Sequence, residues 1–166
     1  MYAHLLSETT EVDQMHLILL FVLGGATYAA AAPRVPSRAD DACALLTPAL
    51  IAKATTLVVG DPTPGKPIPG VLGRCTWEGS NSTRVIVTLA DAKHMDITVA
   101  ATEKSGGEAV TGIGTKAVGS KGAPAFGGGY IVSVLDAKGG FGVSILGPGG
   151  TRDRAIELAK LIESRR

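Results

Sequence analysis

Side chains with catalytic potential are few in this 166-residue chain, which has three histidines and two cysteines. His94 is the only histidine after residue 33, so a hydrolase would have to use it as general base, oriented by an acid such as Asp91 or Asp96. An exposed surface histidine is the favoured interpretation, because one imidazole alone makes no metal cage. The sequence therefore favours a chain without catalytic machinery, and a His94 hydrolase stays open as the alternative.

Three glycine-bearing stretches approach known phosphate or nucleophile motifs, and each departs from its pattern. Residues 60–67 match a phosphate-binding loop as far as Lys66, but Pro67 stands where a hydroxyl must reach Mg²⁺. Residues 112–117 read G-x-G-x-x-A without a helix pattern after them, and residues 142–147 miss the nucleophile-elbow spacing by one. No cofactor and no metal site is predicted.

Cys43 and Cys75 are the only cysteines, and their spacing is far from C-x-x-C. In an exported domain, an even number of cysteines predicts a structural disulfide before a metal or redox pair. A bridge that closes a loop of about 33 residues contributes about 3 to 4 kcal/mol to the free energy of unfolding.

An apolar run covers residues 17–32 and ends in four alanines before Pro33. It predicts a signal peptide over residues 1–31, cleaved after Ala31, with Met15 as a possible true start. The run is short for a membrane span, which needs about 20 apolar residues, so none is expected after cleavage. A short leader (32–39) and a single domain (40–166) are predicted to follow, in a secreted or periplasmic protein.

The net charge bears on whether the protein binds nucleic acid. All 16 basic residues and 12 of the 15 acidic residues follow residue 33. The part of the chain after residue 33 therefore carries a net charge of +4. This excess is too small to predict nucleic-acid binding.

Helix starts are predicted by capping residues. These are Asp40 or Asp41, Thr47 followed by Pro48, Asp91, and Thr151. Residues 91–103 fit both the alternation of a strand and a helix capped by Asp91, and we favour the helix.

Strands are predicted mainly in hairpins. The pairs are 75–78 with 84–89 and 130–135 with 141–146, while a glycine-interrupted strand covers 109–118. Four prolines and three glycines predict a loop over 61–73. The predicted fold class is α+β, an antiparallel sheet of hairpins covered by N-terminal, middle and C-terminal helices and stapled by one disulfide.

Two loops are predicted as possible binding surfaces, since loops on a rigid scaffold carry recognition. One is residues 61–70, and the other is the glycine run with its aromatic neighbour, Gly127, Gly128, Gly129 and Tyr130. For the glycine run, a flexible connector is the favoured interpretation and a ligand loop is the alternative. Trp77 lies two residues after Cys75 and is predicted to pack beside the disulfide in the core.

Several motifs occur in a fixed order along the chain. D-x-C-x-L-L-T begins at Asp41, C-x-W at Cys75, D-A-K at Asp91, and V-x-G-x-G-x-x-A covers 110–117. This order resembles a family of small exported bacterial proteins of unknown function, many of them actinobacterial cell-envelope lipoproteins. The resemblance implies a disulfide between Cys43 and Cys75 and a compact helix-and-sheet domain, without an established activity. The chain departs from the family at Leu50, where a glutamate is usual, and it lacks the lipobox cysteine.

The expected function is that of an exported, non-catalytic binding or sensor-like domain in the bacterial cell envelope. Its partner would be an unknown small molecule or an envelope protein. A purely structural envelope protein is the remaining alternative.

Overall fold

The computed structural model describes residues 38–66 and 68–166. The predicted signal peptide lies outside these ranges, as does the predicted leader up to residue 37. The helices are α1 (Arg38–Ala44), α2 (Pro48–Thr55), α3 (Ala92–Lys104) and α4 (Arg152–Glu163). The strands are β1 (Thr63–Pro64), β2 (Val71–Glu78), β3 (Arg84–Ala90), β4 (Glu108–Ala109), β5 (Lys116–Lys121), β6 (Gly129–Asp136) and β7 (Gly139–Leu146). None of the helices in the described ranges is long and apolar enough to cross a membrane.

The seven strands form one antiparallel sheet in the order β1-β2-β3-β7-β6-β5-β4. Both predicted hairpins are present, as β2–β3 and β6–β7. The long pairing of β3 with β7 joins them at the centre of the sheet, with Arg84 opposite Leu146 and Ala90 opposite Gly140. The predicted α+β fold class is confirmed.

Three helices begin at predicted caps, and in each the cap side chain accepts a hydrogen bond from the backbone N–H three residues later. The caps are Thr47 at 3.3 Å, Asp91 at 2.7 Å and Thr151 at 3.4 Å. Pro48 occupies the first turn of α2, where its missing N–H removes no helical hydrogen bond. The segment after Asp91 is the helix α3, so the favoured alternative for 91–103 is confirmed.

The cap predicted for the first helix is wrong. α1 begins at Arg38, so Asp40 and Asp41 lie inside its first turns. The positive end of the helix dipole favours acidic residues in the first turn as well as at the cap. Residue type alone therefore does not separate the two positions.

Two predicted segments have different boundaries in the structure. The loop predicted over 61–73 contains β1 and the start of β2, because an edge strand tolerates proline. The strand predicted over 109–118 is divided into β4 and β5 by a turn that contains Gly112 and Gly114, both with positive φ.

The main hydrophobic core lies between one face of the sheet and the helices α1, α2 and α4. Its largest fully buried side chains include Trp77, Phe141, Leu46, Ile51, Ile145 and Leu158. A smaller cluster on the other face packs Met95 and Val99 of α3 against Ala90 and Val118. Alternation along β2 places Arg74 and Thr76 on this second face, since Cys75 and Trp77 face the main core.

The disulfide joins α1 to β2. Cys43 and Cys75 are bonded, with their Cα atoms 5.0 Å apart, and the predicted bridge is confirmed. Trp77 is fully buried in the same core cluster as Cys75, as predicted from their spacing.

The residues that follow α4 contact the β6–β7 hairpin. The guanidinium of Arg166 lies 2.6 Å from the Asp136 carboxylate, and both side chains are largely buried. The same guanidinium lies 5.1 Å from the centre of the Phe141 ring, a cation–π distance. One turn earlier, the Glu163 carboxylate accepts a hydrogen bond from the Gly114 N–H at 2.6 Å.

Candidate functional site

His94 is exposed, as expected, and stands in the first turn of α3. The Asp91 carboxylate accepts a hydrogen bond from the His94 backbone N–H, so it serves as the helix cap. Within the described ranges, neither Asp91 nor Asp96 hydrogen-bonds to the imidazole. The imidazole instead lies against Gly70, where a Cβ would be 2.5 Å from Nδ1. The residues of the alternative hydrolase therefore do not form a preassembled acid–imidazole pair.

The segment that resembles a phosphate-binding loop runs along the outer edge of β2. The Gly60 N–H donates to the Glu78 carbonyl and the Gly65 N–H donates to the Arg74 carbonyl, each at 2.8 Å. A phosphate cradle needs such N–H groups to point at the ligand. These two groups hold the sheet edge together instead.

Of the glycines at 127–129, Gly129 lies at a close-packed crossing of backbones, whereas a Cβ on Gly128 would meet no atom within 4 Å. A Cβ on Gly129 would lie 2.1 Å from the Ile145 carbonyl oxygen, and a Cβ on Gly150 would lie 1.9 Å from the same atom. The Gly128 N–H also donates to the Ala123 carbonyl at 3.3 Å. The structure thus gives Gly129 a packing role that no larger residue can fill.

Tyr130 follows this crossing and is 6% exposed. Its ring lies across Gly119, where a Cβ would be 2.5 Å from the tyrosine oxygen. The hydroxyl is buried and has no hydrogen-bond partner among the described residues. Tyr130 lines a cleft of about 330 Å³, which we call the tyrosine cleft; its other walls are Ser105, Gly106, Glu108, Gly119, Ser120 and Lys121.

A second cleft, of about 390 Å³, lies beside β1, and we call it the basic cleft. Its walls include Thr63, Lys66, Ile68, Arg74, Thr76 and Arg84. It therefore combines three basic side chains with one carboxylate, that of Glu78, two hydroxyls and one half-exposed aliphatic side chain.

The position of Arg74 in the basic cleft depends on Gly65. β1 pairs with β2, with Thr63 opposite Thr76 and Pro64 opposite Cys75. This pairing brings Gly65 over Arg74, where a Cβ would lie 2.9 to 3.2 Å from the Cβ, Cγ and Cδ atoms of the arginine. The absence of a side chain at Gly65 thus leaves the space in which the arginine stem lies.

The electrostatics of the basic cleft favour an anion. Arg84 forms an ion pair with Glu78 at 2.7 Å. Lys66 and Arg74 make no ion pair within the described ranges. These two cations share one cleft, so it carries an uncompensated charge of +2. Guanidinium, ammonium and threonine hydroxyl groups together form the donor set that binds phosphate or carboxylate oxygens.

Metal chemistry finds no support in the described part of the chain. No three His, Cys, Asp or Glu side chains come together there in an arrangement that could hold a metal ion.

The two loops predicted to bind lie at different places in the sheet. Residues 61–70 contribute Thr63, Pro64, Gly65, Lys66 and Ile68 to the basic cleft, beside the β1 edge. Of the glycine run, only Tyr130 reaches the tyrosine cleft, beside the β4 edge. The two loops therefore do not form one site.

The strand residues of the basic cleft, Arg74, Thr76 and Arg84, were not predicted from the sequence. Alternation with Cys75 and Trp77 is the signal that could have placed Arg74 and Thr76 on the face opposite the core. Their place in a cleft depends on the pairing of β1, and a strand of two residues has no periodicity to detect.

Comparison with known proteins gives no relative for this chain. No protein-family model matches it, and no curated protein or solved structure is significantly similar to it.

Proposed function

We propose that this chain is an exported, non-catalytic binding domain of the bacterial cell envelope, and that it takes an anionic ligand in the basic cleft. The proposal retains the resemblance to the family of small exported bacterial proteins. The single observation that carries it is the pair of cations Lys66 and Arg74, which share one cleft and have no acidic partner within the described ranges.

The ligand chemistry follows from the donors. Arg74 presents a planar fork that matches the oxygens of a phosphate or a carboxylate, and Lys66 adds a point charge. Thr63 and Thr76 add hydroxyl donors beside them. Pro64 and Ile68 give the cleft an apolar side, which suits the carbon skeleton between the anionic groups of an envelope polymer.

The disulfide supports export, because disulfides persist in oxidising compartments and are rare in reducing ones. The surroundings of His94 give no support to a hydrolase, since the Asp91 carboxylate serves the helix start.

Binding to short-chain inorganic polyphosphate, measured by calorimetry at two salt concentrations, tests the proposal. We expect binding that weakens with salt, because the cleft is open to solvent. In the double variant Lys66→Gln with Arg74→Gln, affinity should fall about tenfold or more, the loss expected when charge-assisted hydrogen bonds are removed. Glutamine keeps the aliphatic stem that packs on Gly65.

The matched control is Lys53→Gln with Lys93→Gln. These lysines are also exposed, make no ion pair among the described residues and lie outside the basic cleft. The control should bind as the unaltered chain does. An equal loss of affinity in the two double variants would show that binding depends on the net charge of the protein and not on the basic cleft. The absence of polyphosphate binding at low salt would also refute the anion site.

A further inference from the structure

The strand β5 extends beyond its neighbour β4. β4 pairs only Glu108 with Gly119 and Ala109 with Val118, while β5 continues to Lys121. The Ala117 carbonyl accepts a hydrogen bond from Val110 on the β4 side. Since backbone groups alternate along a strand, the N–H and C=O of Lys121 point to that same side. They make no backbone hydrogen bond to another described residue there.

The chain that precedes β4 turns away from this edge. The Gly106 N–H donates to the Glu103 carbonyl at 3.0 Å, and the Gly107 N–H donates to the Thr102 carbonyl at 2.9 Å. The tyrosine cleft, which Ser105 and Gly106 also line, therefore lies where β4 would continue along β5. An unpaired strand edge of this kind is a template for an added strand.

The tyrosine hydroxyl is an independent sign of a ligand at the same place. Tyr130 is more than nine-tenths buried and lines the cleft, yet its hydroxyl has no partner among the described residues. A buried hydroxyl without a partner destabilises a protein, and a ligand that supplies a hydrogen bond removes that penalty.

The charges beside the hydroxyl select the end of the ligand. Lys121 is exposed and makes no ion pair in the described part of the chain. The Glu108 carboxylate lies 3.4 Å from the Arg152 guanidinium and is compensated by it. The free charge in the cleft is therefore positive, which favours a carboxylate over an ammonium group.

We propose that the tyrosine cleft binds the C-terminal end of an extended peptide. The peptide adds to β5 in line with β4 and pairs its backbone with Lys121. Its terminal carboxylate lies beside the Lys121 ammonium group, and one of its acceptors takes a hydrogen bond from the Tyr130 hydroxyl. This site is separate from the basic cleft and does not depend on it.

Nuclear magnetic resonance titration of the isotope-labelled protein tests this site. The probe is a mixture of acetylated tetrapeptides of Ala, Val, Ser and Thr with free carboxylates, compared with the same mixture as C-terminal amides. We expect the carboxylates to shift the amide signals of Ser120 and Lys121. Binding by the amides should be about tenfold weaker or more, the loss expected for one charge-assisted hydrogen bond.

Two variants and one control define the contacts. Lys121→Ala should weaken binding about as much as amidation does, and Tyr130→Phe should weaken it severalfold without lowering the melting temperature of the free protein. Lys93→Ala removes another exposed lysine without an ion pair in the described ranges, and it should bind normally.

Several results would overturn the proposal. The first is the absence of shifts at Ser120 and Lys121 at millimolar peptide, and the second is a shift confined to the basic cleft. Acetate that binds as tightly as the peptides would refute strand addition. A lower melting temperature in Tyr130→Phe would show that the hydroxyl is already satisfied in the free protein.

Discussion

The two edges of the sheet are closed by equally short strands but by different means. β1 and β4 each have two residues. At the β1 edge, Pro64 pairs opposite Cys75, so a residue without an N–H donor lies next to the covalent bridge. At the β4 edge there is no covalent bond, and Gly107 fits closely against Val118 and Thr102. The disulfide therefore ties β2, the neighbour of β1, to α1, whereas no cross-link reaches β4 or its neighbour β5.

The comparison shows how a sheet can form binding clefts at its edges without exposing long unpaired strands. A two-residue strand covers only part of its neighbour, and a cleft forms beside it or beyond its end. The proline-bearing β1 blocks strand addition and leaves a cleft for charged groups. The end of β4 leaves backbone groups of β5 available for an added strand.

The largest expected effect comes from removing the cross-link. The double variant Cys43→Ser with Cys75→Ser should lower the free energy of unfolding by about 3 to 4 kcal/mol, measured by urea denaturation. Hydrogen exchange should then show more local opening of the β1–β2 pairing than of β4–β5. Equal local opening at the two edges would break the comparison.

A smaller effect is expected from filling the packed edge. In Gly107→Ala, the new Cβ would lie 2.6 Å from the Val118 Cγ1 atom and 2.8 Å from the Thr102 carbonyl oxygen. Overpacking of this kind should lower the free energy of unfolding by about 1 to 3 kcal/mol, measured by thermal or urea denaturation. The control is Gly142→Ala, whose Cβ would be 3.9 Å from its nearest neighbour and should change stability little. A Gly107 variant as stable as this control would contradict the assigned packing.

The smallest effect on stability is expected at the other edge. In Gly65→Ala, the new Cβ would lie 2.9 Å from the Arg74 Cβ, which is fixed to β2, and 3.1 to 3.2 Å from its Cγ and Cδ. The short edge strand β1 must therefore shift by a few tenths of an ångström, and the free energy of unfolding should fall by about 1 kcal/mol or less. Polyphosphate affinity should nevertheless fall, because the guanidinium is displaced within the basic cleft. A loss of stability as large as that of Gly107→Ala would show that the β1 edge is packed as rigidly as the β4 edge.

The sequence was most informative where the interactions are local. Thr47, Asp91 and Thr151 were identified as caps because the hydrogen bond they accept lies three residues away. The hairpins β2–β3 and β6–β7 were likewise found from alternation and turn residues, which act between neighbours in the chain.

The sequence was least informative where distant segments meet. Nothing in β3 indicates that β7 is its neighbour, since that choice depends on how all the hairpins pack together. The same holds for Arg74, whose cleft exists only because β1 returns along β2. The predicted loops at 61–70 and 127–130 each contribute residues to a cleft. The strand residues that line the same clefts were identified only from the structure.

The central β3–β7 pairing also sets an order in time. Cys43, Cys75 and β3 all precede β7 in the chain, so synthesis from the N-terminus completes them before β7 has been made. Until then, the hydrophobic strand β3 presents an open edge on one side, a hazard for aggregation. Contacts so far apart in sequence slow folding. The β6–β7 hairpin, which is made last, therefore covers the open edge of the half of the chain that contains both cysteines.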